Sequence, residues 1–368
     1  MGGWLEQTCS MTLSCITLSD FRNHAATSLE GLGPLNLLVG ENGAGKTNVL
    51  EALSLLAPGR GLRRAQLAEM ARQGGTGGFA VGATLAAEAG VRLGSFVEPA
   101  HPNRRRVRIN GAEASTAALG EWLSVAWLTP AMDGLFAAAA GERRRYLDRL
   151  ALALDPAHSG HAGRYEAALR ERNRLLSDKP APDPRWLDAI EAQMAASGAA
   201  VAGGRAALVD ALMGEIVRHG ENPFPRPALT YAPGGPVGAE QLSQAFHDGR
   251  ARDRAAGRTL AGPHRDDLEV FYAAKRMPAA ASSTGEQKAL LIAITLAHAA
   301  LAAKGRAAVL LLDEVAAHLD PQRRAALFGR LGDSGTQVWV TGTELAPFER
   351  IDGAARVWEI KNGEAKPL

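Results

Sequence analysis

The apolar run Leu35–Val39 breaks into Gly40-Glu41-Asn42-Gly43-Ala44-Gly45-Lys46-Thr47, and helical apolar spacing follows at Val49, Leu50, Leu53 and Leu56. Strand, glycine-rich loop and helix in that order form a phosphate-binding unit, because the glycines let backbone N–H groups approach phosphate oxygens at a helix N-terminus. The pattern is matched at all eight positions. Lys46 is expected to reach the β- and γ-phosphates of a nucleotide, and the Thr47 hydroxyl to ligate Mg²⁺. The reading is therefore an α/β chain that takes ATP and Mg²⁺ as cofactors.

A second apolar run, Ala308–Leu312, ends in Asp313-Glu314, as a buried parallel strand delivering carboxylates to its carboxyl end does. Asp313 is expected to hold Mg²⁺ through water and Glu314 to polarise the attacking water, which makes Glu314 and Lys46 the candidate catalytic groups. Upstream, Ser282-Ser283-Thr284-Gly285-Glu286-Gln287-Lys288 opens a long apolar helix. Ser283 with Glu286 fits a capping box, and an uncovered helix N-terminus is also an anion site. The stretch resembles the ABC signature, in which Ser283 and Gly285 would meet the γ-phosphate held by a second protomer. His318-Leu319-Asp320 resembles the ABC D-loop, with Asp320 its expected contact across the dimer. No histidine occupies Thr341-Gly342-Thr343-Glu344, where an ABC switch histidine is expected, which leaves Thr343 to serve there or turnover to be slow. A Q-loop glutamine is missing too, since Trp127–Asp133 offers only Ala131 and Asp133.

Around these motifs the organisation changes along the chain. Val81–Leu85, Val91–Val97 and Arg104–Ile109 read as β segments, and Asn110-Gly111 is a hairpin turn signal, so an antiparallel lobe is expected there. From Gly141 to about His219 the pattern is that of charged amphipathic helices, interrupted at Ser177–Pro184 by a proline-rich loop. That makes an antiparallel helical arm inserted in the nucleotide domain. The stretch from Asn222 to Pro236 is expected to cross back, and buried strand cores follow at Ala308–Leu312 and Gln337–Val340, with Val357–Ile360 a further strand. The expected division is 11–135 for the first part of the ATPase head, 136–257 for the arm and 258–368 for the rest of the head.

Lys plus Arg number 41 against 39 for Asp plus Glu, a formal net charge of +2. So even a balance makes no case for nucleic acid, and the case must come from local clusters. Three stand out: Arg60, Arg63 and Arg64; Arg104, Arg105, Arg106 and Arg108; Arg143, Arg144 and Arg145. Arg60, Arg63, Arg64, Arg104, Arg105 and Arg106 are the candidate DNA contacts, because arginine suits phosphate recognition. Two cysteines, Cys9 and Cys15, lack any spacing for a metal or a staple, which fits a reducing compartment. No run reaches the ~18 apolar residues of a membrane span, and no secretion signal is read at the start, so a cytoplasmic protein without a membrane partner is expected; Met11 is an alternative start.

Several further segments narrow the likeness. Leu18-Ser19-Asp20-Phe21-Arg22-Asn23-His24, Lys46-Thr47-Asn48-Val49-Leu50-Glu51-Ala52, Gly59-Arg60, Glu142–Arg149 and, most specifically, Thr259-Leu260-Ala261-Gly262-Pro263-His264-Arg265-Asp266-Asp267-Leu268 resemble the RecF family, from about Leu13 to Ile360. That resemblance implies an ABC/SMC-type P-loop ATPase head that dimerises on ATP and binds gapped or junction DNA. It also implies work with RecR and RecO in loading RecA, and roles in replication restart and SOS induction. A role for His264, Arg265, Asp266 and Asp267 beyond a charged turn is left open. Two other readings stand beside it: an ABC-type ATPase subunit of another complex, and a scaffold clamped by ATP with negligible hydrolysis.

Overall fold

The structure, a computed structural model, describes residues 12–86, 90–178, 183–219, 223–304, 306–315, 319–348 and 355–368. Cys9, Met11, Asn222, His318 and residues 179–182 of the proline-rich loop lie outside the described residues. The chain divides into two compact units: Met1–Asp133 with Glu221–Pro225 and Leu291–Leu368, and Gly134–Gly220 with Arg226–Leu290.

The first unit holds two six-stranded sheets. One is antiparallel throughout, built from β1 (Leu13–Phe21), β2 (His24–Glu30), β4 (Phe79–Leu85), β5 (Val91–Val97), β6 (Arg105–Ile109) and β7 (Ala112–Ala114) in the order β2-β1-β4-β5-β6-β7. Its strands bury alternate residues, as Phe79, Val81, Ala83 and Leu85 do in β4, which fits one packed and one open face. Asn110 and Gly111 both take positive φ, 51° and 85°, in the hairpin between β6 and β7. The expected antiparallel lobe is thus present, extended by β2.

The other sheet comprises β3 (Leu35–Val39), β8 (Leu123–Leu128), β12 (Ala307–Leu312), β13 (Gln337–Gly342), β14 (Ala355–Lys361) and β15 (Glu364–Pro367) in the order β15-β14-β3-β13-β12-β8. All its pairs are parallel except β14 with β15. Every residue of β3, β8, β12 and β13 is buried, the signature of strands covered on both faces. Register places Val39 beside Gly342, and Leu312 beside both Val340 and Leu128, so the carboxyl ends of four strands meet along one edge. Helices α1 (Lys46–Ser54) and α9 (Pro321–Gly332), the single turns α2 (Leu67–Met70) and α3 (Leu119–Trp122) and residues Leu291–Ala302 of a further helix belong to the same unit. The buried Gln337 amide joins the two sheets, bonding Leu13 N at 3.2 Å, Leu13 O at 2.9 Å and Gly33 O at 3.0 Å.

The second unit carries α4 (Ala140–Leu154), α5 (Ala157–Ser177), α6 (Pro184–His219) and α7 (Ala239–Ala256), with a three-stranded sheet of β9 (Pro227–Ala232), β10 (Asp267–Tyr272) and β11 (Met277–Pro278). Among the described residues, three helices, α4, α5 and α6, span the stretch that ends at His219. Asp155-Pro156 breaks the first from the second, because a residue before proline is pushed to an extended conformation, and the Asp155 carboxylate then accepts from Ala157 N at 2.9 Å. Tyr165, Ala168, Met194, Ala195, Val201, Leu242 and Phe246 form the arm core. Residues 258–290, expected in the returning head, cluster with the arm: β10 pairs with β9 along its whole length, and the boundary falls inside α8 (Thr284–Ala302), between Leu290 and Leu291.

Candidate nucleotide site

The phosphate loop leaves β3 at Gly40 and enters α1 at Lys46, with Gly40, Gly43 and Gly45 all at positive φ. No side chain caps α1 and no acid stands in its first turn, so the positive end of the helix dipole has no side-chain partner. The Lys46 ammonium lies within the loop, donating to Gly40 O at 2.6 Å and Glu41 O at 2.8 Å. Burial holds its pKa below the usual lysine value, against the opposing pull of Glu314 and Asp313. Glu41, Asn42 and Gly43 stand exposed at the loop tip and Ala44 is buried behind them.

Parallel register brings the acids to the same place. Thr47 Oγ1 donates to Asp313 Oδ1 at 2.8 Å, and Thr341 Oγ1 donates to the same oxygen at 2.9 Å. The Thr341 hydroxyl also accepts from Glu314 N at 2.9 Å. Glu314 adopts φ 53°, a left-handed conformation that costs a non-glycine residue about 1–2 kcal/mol, so the turn that aims its carboxylate is held against strain. A hydroxyl and a carboxylate in contact at a phosphate loop are the oxygen donors Mg²⁺ takes, which binds through one or two protein groups plus phosphate and water. Thr341 escaped the sequence reading, which offered Thr343 as the substitute for a switch histidine; Thr343 is exposed, while Thr341 is buried at the end of β13, beside the acids. Only its place in a strand that neighbours β12 could have marked it.

Ser283 and Gly285 belong to the second unit, at the start of α8. The capping box forms: Ser283 N donates to Glu286 Oε2 at 3.1 Å, and Glu286 N to Ser283 Oγ at 3.4 Å. Lys275 also bonds Glu286, at 2.5 Å. Gly285, the second residue of α8, has neither a positive φ nor, among the described residues, a neighbour within 4 Å of an added Cβ, so no described residue requires glycine there. Asp320 is the N-cap of α9, accepting from Arg323 N at 2.8 Å.

The arginine clusters separate on inspection. Arg60 and Arg64 are exposed, and Arg63 pairs with the fully buried Glu51 at 3.1 Å and with Asn48 Oδ1 at 2.8 Å. Glu51 also receives both arms of Arg22, each at 2.8 Å. In the second cluster Arg104 is exposed, but Arg105 is not available to DNA. Its guanidinium donates to Leu55 O, Ala57 O and Gly59 O at 2.5, 2.9 and 2.7 Å and to Ser95 Oγ at 2.8 Å, tying down the loop after α1; burial lowers its pKa to about 10. Arg106 is likewise committed, to Glu98 at 2.6 Å and to Glu113, with its face over Phe96. Adjacent residues of β6 point to opposite faces, so the run is not one patch, and each face supplies its own acceptors: carbonyls after α1 and Ser95 for Arg105, Glu98 and Glu113 for Arg106.

The Gly262–Leu268 segment is the structural knot of the arm. Asp266 accepts from Arg205 at 2.7 Å, Tyr231 Oη at 2.5 Å and Gly234 N at 2.8 Å. Arg205 also grips Asp148 through two bonds of 2.8 Å, and Arg143 holds Asp267 at 2.8 and 2.5 Å. His264 Nδ1 stands 2.7 Å from Tyr165 Oη and its Nε2 stands 3.0 Å from Thr259 O; burial lowers its pKa. Gly262, at φ 123°, lies so close to Tyr165 that a Cβ would fall 2.6 Å from its hydroxyl.

The family model for the RecF/RecN/SMC N-terminal domain matches residues 12–366. The DNA replication and repair protein RecF of Mesorhizobium japonicum is 49% identical over 371 residues, covering 96% of this chain and 97% of that protein. RecF of Brucella suis is 48% identical over 364 residues, covering 95% and 94%. A solved structure of the recombination mediator protein RecF with ATP, of the RecFOR pathway, superposes with a TM-score of 0.85 at 22% identity, covering 99% of each chain. The Smc head domain of Pyrococcus furiosus reaches 0.55 at 15% identity, covering 97% and 96%. The fold is that of an ABC-type ATPase head, and the chain belongs to the RecF family of DNA replication and repair proteins.

Proposed function

We propose that this chain binds ATP with Mg²⁺ at Gly40–Thr47, dimerises on it and engages gapped or junction DNA, acting with RecO and RecR to load RecA in repair, replication restart and SOS induction. The convergence of Lys46, Thr47, Asp313, Glu314 and Thr341 at the carboxyl edge of one parallel sheet carries this reading. Lys46 and the uncapped N-terminus of α1 neutralise the phosphates, Thr47 and Asp313 hold the metal, and Glu314 orients the attacking water. ATP reported with a related RecF of the same fold, in the RecFOR pathway, supports the ligand and the partners. Required by no described residue of the chain, Gly285 supports a phosphate approaching α8 from a second protomer, with Ser283 beside it. Arg60, Arg63, Arg64 and Arg104 remain as the DNA contacts.

The missing switch histidine favours a second reading, a dimer clamped by ATP with negligible hydrolysis, in which the Thr341 hydroxyl only shapes the acid turn. Turnover measured with and without gapped duplex separates the two: stimulation by gapped DNA supports the first, and no phosphate release in either case supports the clamp. Ser283→Arg tests the composite site. ATP binding by the monomer persists and ATP-dependent dimerisation fails in sedimentation; a variant that still dimerises leaves Ser283 as a helix cap only.

A further inference from the structure

A peptide plane ties the direction of each carbonyl to that of the next N–H, which points the opposite way. A phosphate loop that turns its N–H groups outward must therefore turn carbonyls inward, and buried carbonyls need donors. Two of these carbonyls draw donors from both ends of the chain. Ala44 O accepts from Gly363 N at 3.0 Å and from Asn23 Nδ2 at 2.9 Å. Gly45 O lies 3.1 Å from His24 Nε2 and also receives Asn48 N and Val49 N at 3.0 and 3.2 Å. The two sources are themselves joined, because Thr27 Oγ1 stands 2.8 Å from Gly363 O and 2.9 Å from His24 Nδ1. The result is a continuous line of contacts running Ala44, Gly363, Thr27, His24, Gly45, in which the one Thr27 hydroxyl proton serves either Gly363 O or His24 Nδ1 while Nε2–H faces Gly45 O. Thr27 and His24 are both buried within it.

Space is as constrained as bonding. Asn362 and Gly363 take φ 51° and 80° in the tight turn between β14 and β15. A Cβ on Gly363 would lie 2.1 Å from Asn23 O, and one on Gly45 would lie 2.7 Å from Asn23 Oδ1 and 2.8 Å from His24 Nε2. On Gly40 it would fall 2.2 Å from Ile360 O. The loop glycines thus admit two hairpins behind the loop as well as phosphates in front of it.

We infer that the Asn362-Gly363 turn, Asn23, Thr27 and His24 form a positioning clamp, which by fixing the Ala44 and Gly45 carbonyls aims the Gly45 and Lys46 N–H groups at the nucleotide phosphates. The inference rests on Gly40–Thr47 being the ATP site. It makes the turn of the C-terminal hairpin part of that site, through Gly363 and its bond to Ala44 O. Loss of one such bond weakens binding by about tenfold.

The test uses the full-length chain, with MgATP affinity measured beside thermal unfolding without nucleotide. His24→Phe is expected to weaken MgATP binding about tenfold while the melting midpoint stays near the parent's, and His24→Gln, whose amide supplies an N–H toward Gly45 O, is expected to recover most of the loss. Thr27→Val, nearly isosteric, repeats the loss at a second point of the line and serves if His24→Phe does not fold. Lys46→Ala is the reference. If it binds MgATP like the parent, the ATP-site reading fails; if it loses MgATP while folded His24→Phe and Thr27→Val bind like the parent, the clamp is overturned. Failure of His24→Gln to recover affinity, with affinity and melting falling together, also overturns it by reducing His24 to a packing residue.

Discussion

Two short segments of this chain each combine glycine with charged residues, Gly40–Thr47 and Gly262–Leu268, and their polar groups have opposite fates. In Gly40–Thr47 the carbonyls are bonded into the chain while the N–H groups at the start of α1 have no capping side chain. Within Gly262–Leu268 the side chains are consumed by the fold: Asp266 by Arg205, Tyr231 and Gly234, Asp267 by Arg143, and His264 beside Tyr165 and Thr259. What distinguishes a site from a scaffold is the bonding capacity left over, not the density of polar residues. Glycine serves both, since Gly45 and Gly262 each lie where a Cβ would collide with a neighbouring side chain.

The largest expected effect breaks the scaffold side of this comparison. Asp266→Ala leaves Arg205, Tyr231 Oη and Gly234 N without their buried acceptor, and removing one partner of a buried ion pair costs about 3–5 kcal/mol. Urea unfolding of the full chain should show a transition displaced to lower denaturant. A variant of normal stability that has lost DNA or nucleotide binding would instead make the segment a functional site. On the other side, Glu314→Gln should retain ATP and slow its hydrolysis by about 10²–10⁴-fold, the usual contribution of a general base, and an unchanged steady-state rate removes Glu314 from the chemistry. Lys46→Ala should weaken ATP by about a hundredfold, as two charge-assisted hydrogen bonds are lost, with little change in unfolding. Equilibrium binding checks it.

A smaller effect follows from His264. Burial lowers its pKa, so the folded chain binds fewer protons there than the unfolded chain, in which the histidine titrates near its ordinary value of about 6.5. Stability from this group is complete above that value and declines as pH falls through it toward the folded pKa, by at most about 1.4 kcal/mol per pH unit. Denaturant midpoints between pH 7 and 5 should fall for the parent and fall less for His264→Gln; equal slopes would show that His264 is not linked to folding.

Much of the fold could be read from local pattern. The eight-residue loop, the unbroken apolar runs of β3 and β12 and the Asn110-Gly111 turn each carry their meaning within a few residues. What escaped depends on register between distant segments. Thr341 meets Asp313 because β12 and β13 pair in one particular parallel alignment, and β9 finds β10 across the whole of α7. Gly363 reaches Ala44 from the opposite end of the chain. Arg105 could not be told from Arg104, because the face a strand residue takes is fixed only by what it packs against.

That last ambiguity sets up the smallest expected effect, which sharpens the contrast between arginines left over and arginines consumed. Arg60 is exposed, whereas Arg105 places four hydrogen bonds on the loop after α1 and on Ser95. If Arg60 contacts one DNA phosphate, Arg60→Ala releases one fewer counterion on binding, and the slope of log affinity against log salt flattens by about 0.9 on duplex DNA. Stability should stay within about 0.5 kcal/mol, as for most surface substitutions. Arg105→Met should do the reverse: its three carbonyl partners lose their donor, stability falls by about 1–3 kcal/mol, and the salt slope holds in the folded fraction. DNA titrations at four salt concentrations, each beside an unfolding curve, check both variants. A slope that flattens for Arg105→Met and not for Arg60→Ala would invert the assignment, placing the DNA on the β6 side of the antiparallel sheet and leaving the loop after α1 as scaffold.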